Sequence, residues 1–194
     1  REEEPWHLQK GKRYLVERNG SAVCAFILPY GALGQIKMLG AHTDSPGLKL
    51  KPMAGYSLEN MAMLATEIYG APLLNSWFNR DLVLAGRLFV DDDKGGIQEV
   101  LVHLNEHHLI IPQLALHLVR KVNDEGLLVD KQEHLSALAA LLPEGTPIRS
   151  LQSLLKKVVN HRTLRSFDLF LVPAEPARLI GENEEFIASY RLDN

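Results

Sequence analysis

His42 and Asp44 stand two positions apart in Gly40-Ala-His-Thr-Asp-Ser-Pro46, just after an apolar run containing Ile36, Met38 and Leu39. An imidazole can give one ring nitrogen to a metal while a nearby carboxylate holds the opposite edge of the ring, which fixes the tautomer and raises the ligand's basicity. The pair therefore carries the parts of a metal ligand and of the acid that orients it. Spacing alone does not separate this from a coincidence at a strand end or on the surface. A second candidate donor, Asp193, lies in Arg191-Leu-Asp-Asn194, where a terminal carboxylate with no fixed role is the common case.

The elements that must position these groups can be read from the local pattern. Arg13–Glu17 and Ser21–Leu28 read as strands joined at Asn19-Gly20, a hairpin signal because both turn residues tolerate positive φ. Gln35–Gly40 reads as a third strand between Gly34 and Gly40. His42 would then emerge just past its end, where open α/β sheets place their chemistry.

Past Pro52 the texture changes, with strand-like runs at Met61–Ile68, Leu82–Val90 and Ile97–Leu104 separated by Gly70-Ala-Pro72 and Asp91–Gly96. Asp91–Asp93 lack the spacing of a calcium loop ending in a bidentate Glu, and Lys94-Gly-Gly96 favours a solvated hairpin turn. Glu133–Leu142 and Ile148–Val159 carry helical patterns, the second with Leu151, Leu154, Leu155 and Val158 on one face. Phe167–Val172 reads as a returning strand bounded by Pro173 and Pro176.

Read as one block, Met38-Leu-Gly-Ala-His-Thr-Asp-Ser-Pro-Gly-Leu-Lys-Leu-Lys-Pro52 resembles the signature of the aspartyl aminopeptidases, a family of co-catalytic zinc exopeptidases. Glu67-Ile-Tyr-Gly70, Trp77–Arg87, Ile111–Leu118 and Glu185–Asn194 are similar to further family segments and occur in family order. The resemblance implies a hydrolase that removes N-terminal Asp or Glu from peptides with a free N-terminus, using two zinc ions bridged by one carboxylate, with cobalt or manganese as possible substitutes. Carried over by motif, His42 would ligate one zinc, Asp44 would be the catalytic acid that orients it, and Asp193 would be the bridge.

The family's remaining ligands and its Glu general base lie beyond the Arg-Leu-Asp-Asn motif, and the chain opens at Arg1 with no initiator Met. The expectation is a portion of a longer protein, inactive alone. The implied fold is α/β: residues 1–52 and 181–194 would form an incomplete catalytic domain, and 53–180 an inserted β-rich domain for oligomerisation and active-site cover. The implied assembly is a homo-oligomer, a dodecamer by family resemblance.

His117 matches, by resemblance only, the second His of a family segment thought to reach a neighbouring subunit's active site, where it could hydrogen-bond the substrate or the tetrahedral intermediate. Without the family it reads as a core His on a strand. Two positions depart from the pattern: Gln113 replaces the segment's first His, and Asn79 stands where Asp is common. Arg80 and Asp81 remain able to form an ion pair, while Trp77 and Phe78 suit a core or interface. His107 and His108 would diverge on a strand, so a shared ion is not expected there.

The chain has 194 residues, 46% of them hydrophobic, which is room for one large domain or two small ones around a core. Its net charge of -3, with Lys and Arg scattered among acids, suggests neither nucleic acid nor anionic membrane as a partner. No run approaches the roughly 18 apolar residues of a membrane span, no secretory signal is visible, and cytoplasm is the default location. The single cysteine, Cys24, sits in an apolar run and reads as a buried thiol. Two other classes stay open: a related two-metal exopeptidase or deacylase of different specificity, and a non-catalytic assembly fragment. No residue here identifies the cationic group that would select acidic substrates.

Overall fold

The structure, a computed structural model, describes residues 5–143 and 150–190. The chain divides into two compact units, residues 1–42 and residues 43–194.

The first unit is built on a hairpin. Strand β1 (Arg13–Arg18) pairs antiparallel with β2 (Ala22–Ile27), and Asn19 (φ 53°) and Gly20 (φ 63°) make the expected left-handed turn. Phe26 is sandwiched between Trp6 and Tyr14, with ring centroids 6.0 and 5.3 Å away. Two strands have only one partner each, so this unit buries little, and Cys24 is exposed instead of lying in a core. Gln35–Gly40 is not a strand: it has no regular structure, and Ile36, Met38 and Leu39 are exposed. An apolar run becomes a strand only where a neighbouring edge takes up its backbone hydrogen bonds, and among the described residues none does so.

The second unit is a six-stranded sheet. Its strands are β3 (Gly47–Leu58), β4 (Met61–Tyr69), β5 (Leu82–Asp91), β6 (Ile97–His103), β7 (Ala137–Leu141) and β8 (Leu164–Pro173), in spatial order β6-β5-β8-β3-β4-β7. A short pair, β9 (Arg178–Ile180) and β10 (Phe186–Ala188), follows. Every pairing between these strands is antiparallel. The described chain is mostly strand, 41% against 8% helix, so it is β-rich and not the expected α/β. Strands that alternate apolar and polar residues and return on each other form a two-faced antiparallel sheet, whereas α/β sheets need helical crossovers over both faces.

The alternation decides what each face does. Leu48, Leu50, Leu82, Leu84, Leu88, Leu169 and Leu171 all point to one face and are fully buried. Helix α1 (Ser150–Val159) closes that face through Leu155, with Leu151, Leu154 and Val158 packed beside it, as the helical pattern predicts. Lys49, Tyr69, Arg87, Asp168 and Phe170 occupy the alternate positions and therefore share the opposite face.

β3 runs through residue 52, and Pro52 falls where its register against β4 shifts between Leu50 and Gly55, a place where a missing N–H costs no ladder bond. The helix expected at Glu133–Leu142 is instead a turn followed by β7, which pairs with the edge of β4; Leu135 in the turn and Ala137 in the strand are buried. Ala and Leu favour helix, yet an open strand edge over an apolar surface outweighs that small preference. The turn at Asp91–Gly96 is as expected: Asp92 accepts from the N–H groups of Lys94 (2.9 Å) and Gly96 (2.6 Å), while Asp91 pairs with Arg165.

Candidate active site

On the polar face, Asp44, Pro46, Lys49, Tyr69, Asp168 and Phe170 line part of a cleft of ≈ 550 Å³. Strands β3, β4, β5 and β8 and the loop entering β3 build it. Gly47 lies opposite Tyr69 in the β3–β4 register, so the loop carrying Asp44 is brought beside the end of β4. There the Tyr69 hydroxyl donates to Asp44 Oδ2 at 2.5 Å. That hydrogen bond and the charge of Asp44 raise the phenol's pKa above its ordinary value.

The floor of the cleft is an ion-pair network. Lys49 Nζ lies 2.9 Å from Asp168 Oδ1, and Arg87 reaches Asp168 Oδ2 at 3.3 Å and Glu99 at 3.6 Å. Lys49 first, and then Arg87, hold the Asp168 carboxyl below the usual carboxylate range. Phe170 stands edge-on to Tyr69 (centroids 5.4 Å apart, 82° between planes), with Lys49 Nζ 5.8 Å from its centroid. β8 can lie this close to β5 because Gly86, opposite Leu169, adopts φ +148°; a Cβ there would fall 2.1 Å from the carbonyl oxygen of Asp168.

The sequence candidates are distributed unevenly. Asp44 is in the cleft, held by Tyr69. His42 is exposed and closes the first compact unit. Asp193 lies outside the described residues. His117 is in an exposed turn, not on a core strand, among the exposed Leu114, Leu116 and Leu118. Among the described residues, no three His, Cys, Asp or Glu side chains converge to hold a metal ion. His42 and Asp44 are nevertheless of the types that zinc takes, imidazole nitrogen and carboxylate oxygen.

The two departures from the family pattern meet in space. Asn79 adopts φ 55° and its Oδ1 accepts from the Gln113 N–H at 3.0 Å, while its own N–H donates to the Ile111 carbonyl at 2.9 Å. Asn is well suited to that left-handed backbone, and an amide oxygen serves the bond as a carboxylate would. Trp77 and Phe78 pack in the core as expected. Arg80 does not depend on Asp81: its guanidinium lies 3.4 Å from the centroid of the Tyr190 ring, and Asp81 is 3.8 Å from His108. No spacing in the sequence points to Tyr69, Lys49 or Asp168, although Tyr69 lies in Glu67-Ile-Tyr-Gly70.

Comparison with known proteins identifies the class to which this β-rich module belongs. The family model described as Aminopeptidase I zinc metalloprotease (M18) matches residues 1–194. A probable M18 family aminopeptidase 2 of Stutzerimonas stutzeri (strain A1501) is 38% identical over 202 residues, covering 100% of this chain and 46% of its own length. Among solved structures, a chain in the cryo-EM structure of the Ape4 and Nbr1 complex superposes with a TM-score of 0.81 at 31% identity, covering 97% of this chain and 40% of that one. The Saccharomyces cerevisiae mApe1 dodecamer shares the fold at a TM-score of 0.61 and 22% identity, over 92% of this chain and 40% of that one. The chain belongs to the M18 family of zinc metalloproteases. It spans about half the length of the curated relatives it matches.

Proposed function

We propose that the full-length protein is a zinc-dependent aminopeptidase that releases N-terminal residues, Asp and Glu before others, from peptides. The match of the M18 family model to all of residues 1–194 carries this reading, and the anchoring of Asp44 in a cleft supports it. His42 and Asp193 would hold metal, Asp44 would orient the His42 ring, and the remaining ligands and a glutamate base would come from the rest of the protein. Two zinc ions, or cobalt or manganese in their place, supply Lewis acidity and an acidified water when bound. The residues present here bind and orient: the cleft takes the peptide's N-terminal end, and Tyr69 on β4, packed against Phe170 on β8, holds Asp44.

In this reading residues 1–52 and 181–194 belong to the catalytic domain and 53–180 is inserted, with the compact unit starting at Thr43. The exposed leucines around His117 would be covered by another subunit, which brings His117 to that subunit's substrate. A dodecamer, as in the mApe1 structure, is the proposed assembly, and the cytoplasm the proposed location. No helix among the described residues is long and apolar enough to cross a membrane.

The test is release of N-terminal Asp, Glu and Leu from chromogenic substrates by the full-length protein, with and without a chelator. Chelator-sensitive turnover preferring Asp and Glu is expected. In His42→Ala, turnover should fall by more than about 100-fold together with loss of zinc, because a ligand matters at least as much as the groups that orient it. Wild-type turnover with unchanged metal content in that variant would remove His42 as a ligand.

A further inference from the structure

We propose that Tyr69 is a positioning residue for the metal centre, acting through Asp44; the inference rests on the aminopeptidase reading above. Asp44 is on an exposed loop before β3. The Tyr69 hydroxyl takes one of its oxygens at 2.5 Å. Tyr69 itself is fixed from several sides: by its place at the end of β4, by the edge-on ring of Phe170, and by the chain reversal at Gly70. Gly70 has φ +71°, and a Cβ there would touch Pro46 at 3.2 Å, so the turn after Tyr69 is pressed against the loop that holds Asp44.

The chemical consequence follows from the geometry of a carboxylate. With one oxygen held in the frame of the sheet, the plane of the group is set, and so is the direction from which a second donor must approach. The imidazole N–H of a histidine two residues upstream is the donor the chemistry calls for. A ring oriented in this way keeps its other nitrogen pointed at the metal without losing rotational entropy on binding. The phenol thus extends the chain of oriented groups from zinc ligand to acid to sheet. Phenylalanine at 69 would keep the ring against Phe170 and remove only the oxygen.

The experiment compares full-length wild type, Tyr69→Phe, Asp44→Asn and the double variant. Tyr69→Phe should lower kcat by about 10-fold with KM within about 2-fold, the pattern of an oriented group lost from the transition state. Its zinc Kd, read by competition with a chromophoric chelator, should weaken by about 10-fold, and the visible spectrum of the cobalt-loaded protein should change. Its melting temperature should stay within about 3 °C, since only a partly exposed hydroxyl is removed and the ring keeps its packing. In the Asp44→Asn background the Tyr69→Phe effect on zinc Kd should shrink to within about 2-fold, as coupled groups require and a purely structural residue would not produce. Wild-type kcat and zinc Kd in Tyr69→Phe, beside an active wild type, would overturn the positioning role alone, as would undiminished effects in the double variant. A wild type that neither binds zinc nor cleaves would overturn the aminopeptidase reading and this inference with it.

Discussion

Replacing Gly86 by alanine tests whether the cleft wall depends on the close approach of β5 to β8. The added Cβ would lie 2.1 Å from the carbonyl oxygen of Asp168 and 3.1 Å from the Cα of Leu169. Ordinary contacts between such atoms are about 3.5 Å, so the strands must part by on the order of 1 Å, in the middle of the ladder that pairs Ala85 with Phe170 and Arg87 with Asp168. Overfilling a packed site of this kind costs about 1–3 kcal/mol. The backbone adds a further 1–3 kcal/mol or so, because φ +148° is strained for any residue with a Cβ. A combined loss of about 4 kcal/mol should lower the melting temperature by roughly 8–16 °C in a unit of this size. Gly95 is the control: it too has positive φ, +80°, but a Cβ there meets nothing within 4 Å. Gly95→Ala should therefore show only the backbone effect, about 1 kcal/mol and roughly 2–4 °C. Thermal unfolding followed by circular dichroism measures both variants. If Gly86→Ala melts no lower than Gly95→Ala, β8 is not held against β5 in the way described.

Two further outcomes follow from the site. Asp168 has a folded-state pKa lowered by Lys49 and Arg87, so its contribution is complete above the unfolded value of about 3.9 and is lost as pH falls through the lower folded value. Asp168→Asn should be less stable than wild type at pH 7 by about 1 kcal/mol, allowing for solvent screening of partly exposed partners, and the difference should shrink as pH falls below about 3.9; a urea-midpoint difference that stays constant as pH is lowered through the carboxylate range would refute this. His117→Ala should reduce turnover of the assembled protein while leaving its zinc content unchanged, measured by substrate kinetics and metal analysis, and full activity would exclude a role across subunits.

Local chemistry made part of this protein legible from its residues. Asn19-Gly20 takes up positive φ more readily than other residue pairs, and the hairpin turns there. The aspartates at 91–93 beside Lys94-Gly-Gly96 had to make a solvated turn, and Asp92 caps it. Leu151, Leu154, Leu155 and Val158 repeat at helical spacing, and that face packs on the sheet. The linear motif around His42 carried the family because its residues are neighbours in sequence, where order along the chain is the whole signal.

What a residue meets at a distance was decided only by the tertiary structure. Ala137–Leu141 became a strand because β4 had an edge to offer, and Gln35–Gly40 did not because nothing paired with it. Cys24 lies exposed since a two-stranded hairpin has no second layer to bury it. The same holds for the site. Asp44 and Tyr69 are 25 residues apart, and Lys49 and Asp168 lie on strands distant in sequence, so no spacing rule joins them. Antiparallel register brings them to one face, and register is set by which alternate residues the core accepts. The sequence by itself therefore determined the turns, the helix and the motif, whereas the sheet determined which side chains stand around Asp44 and hold it.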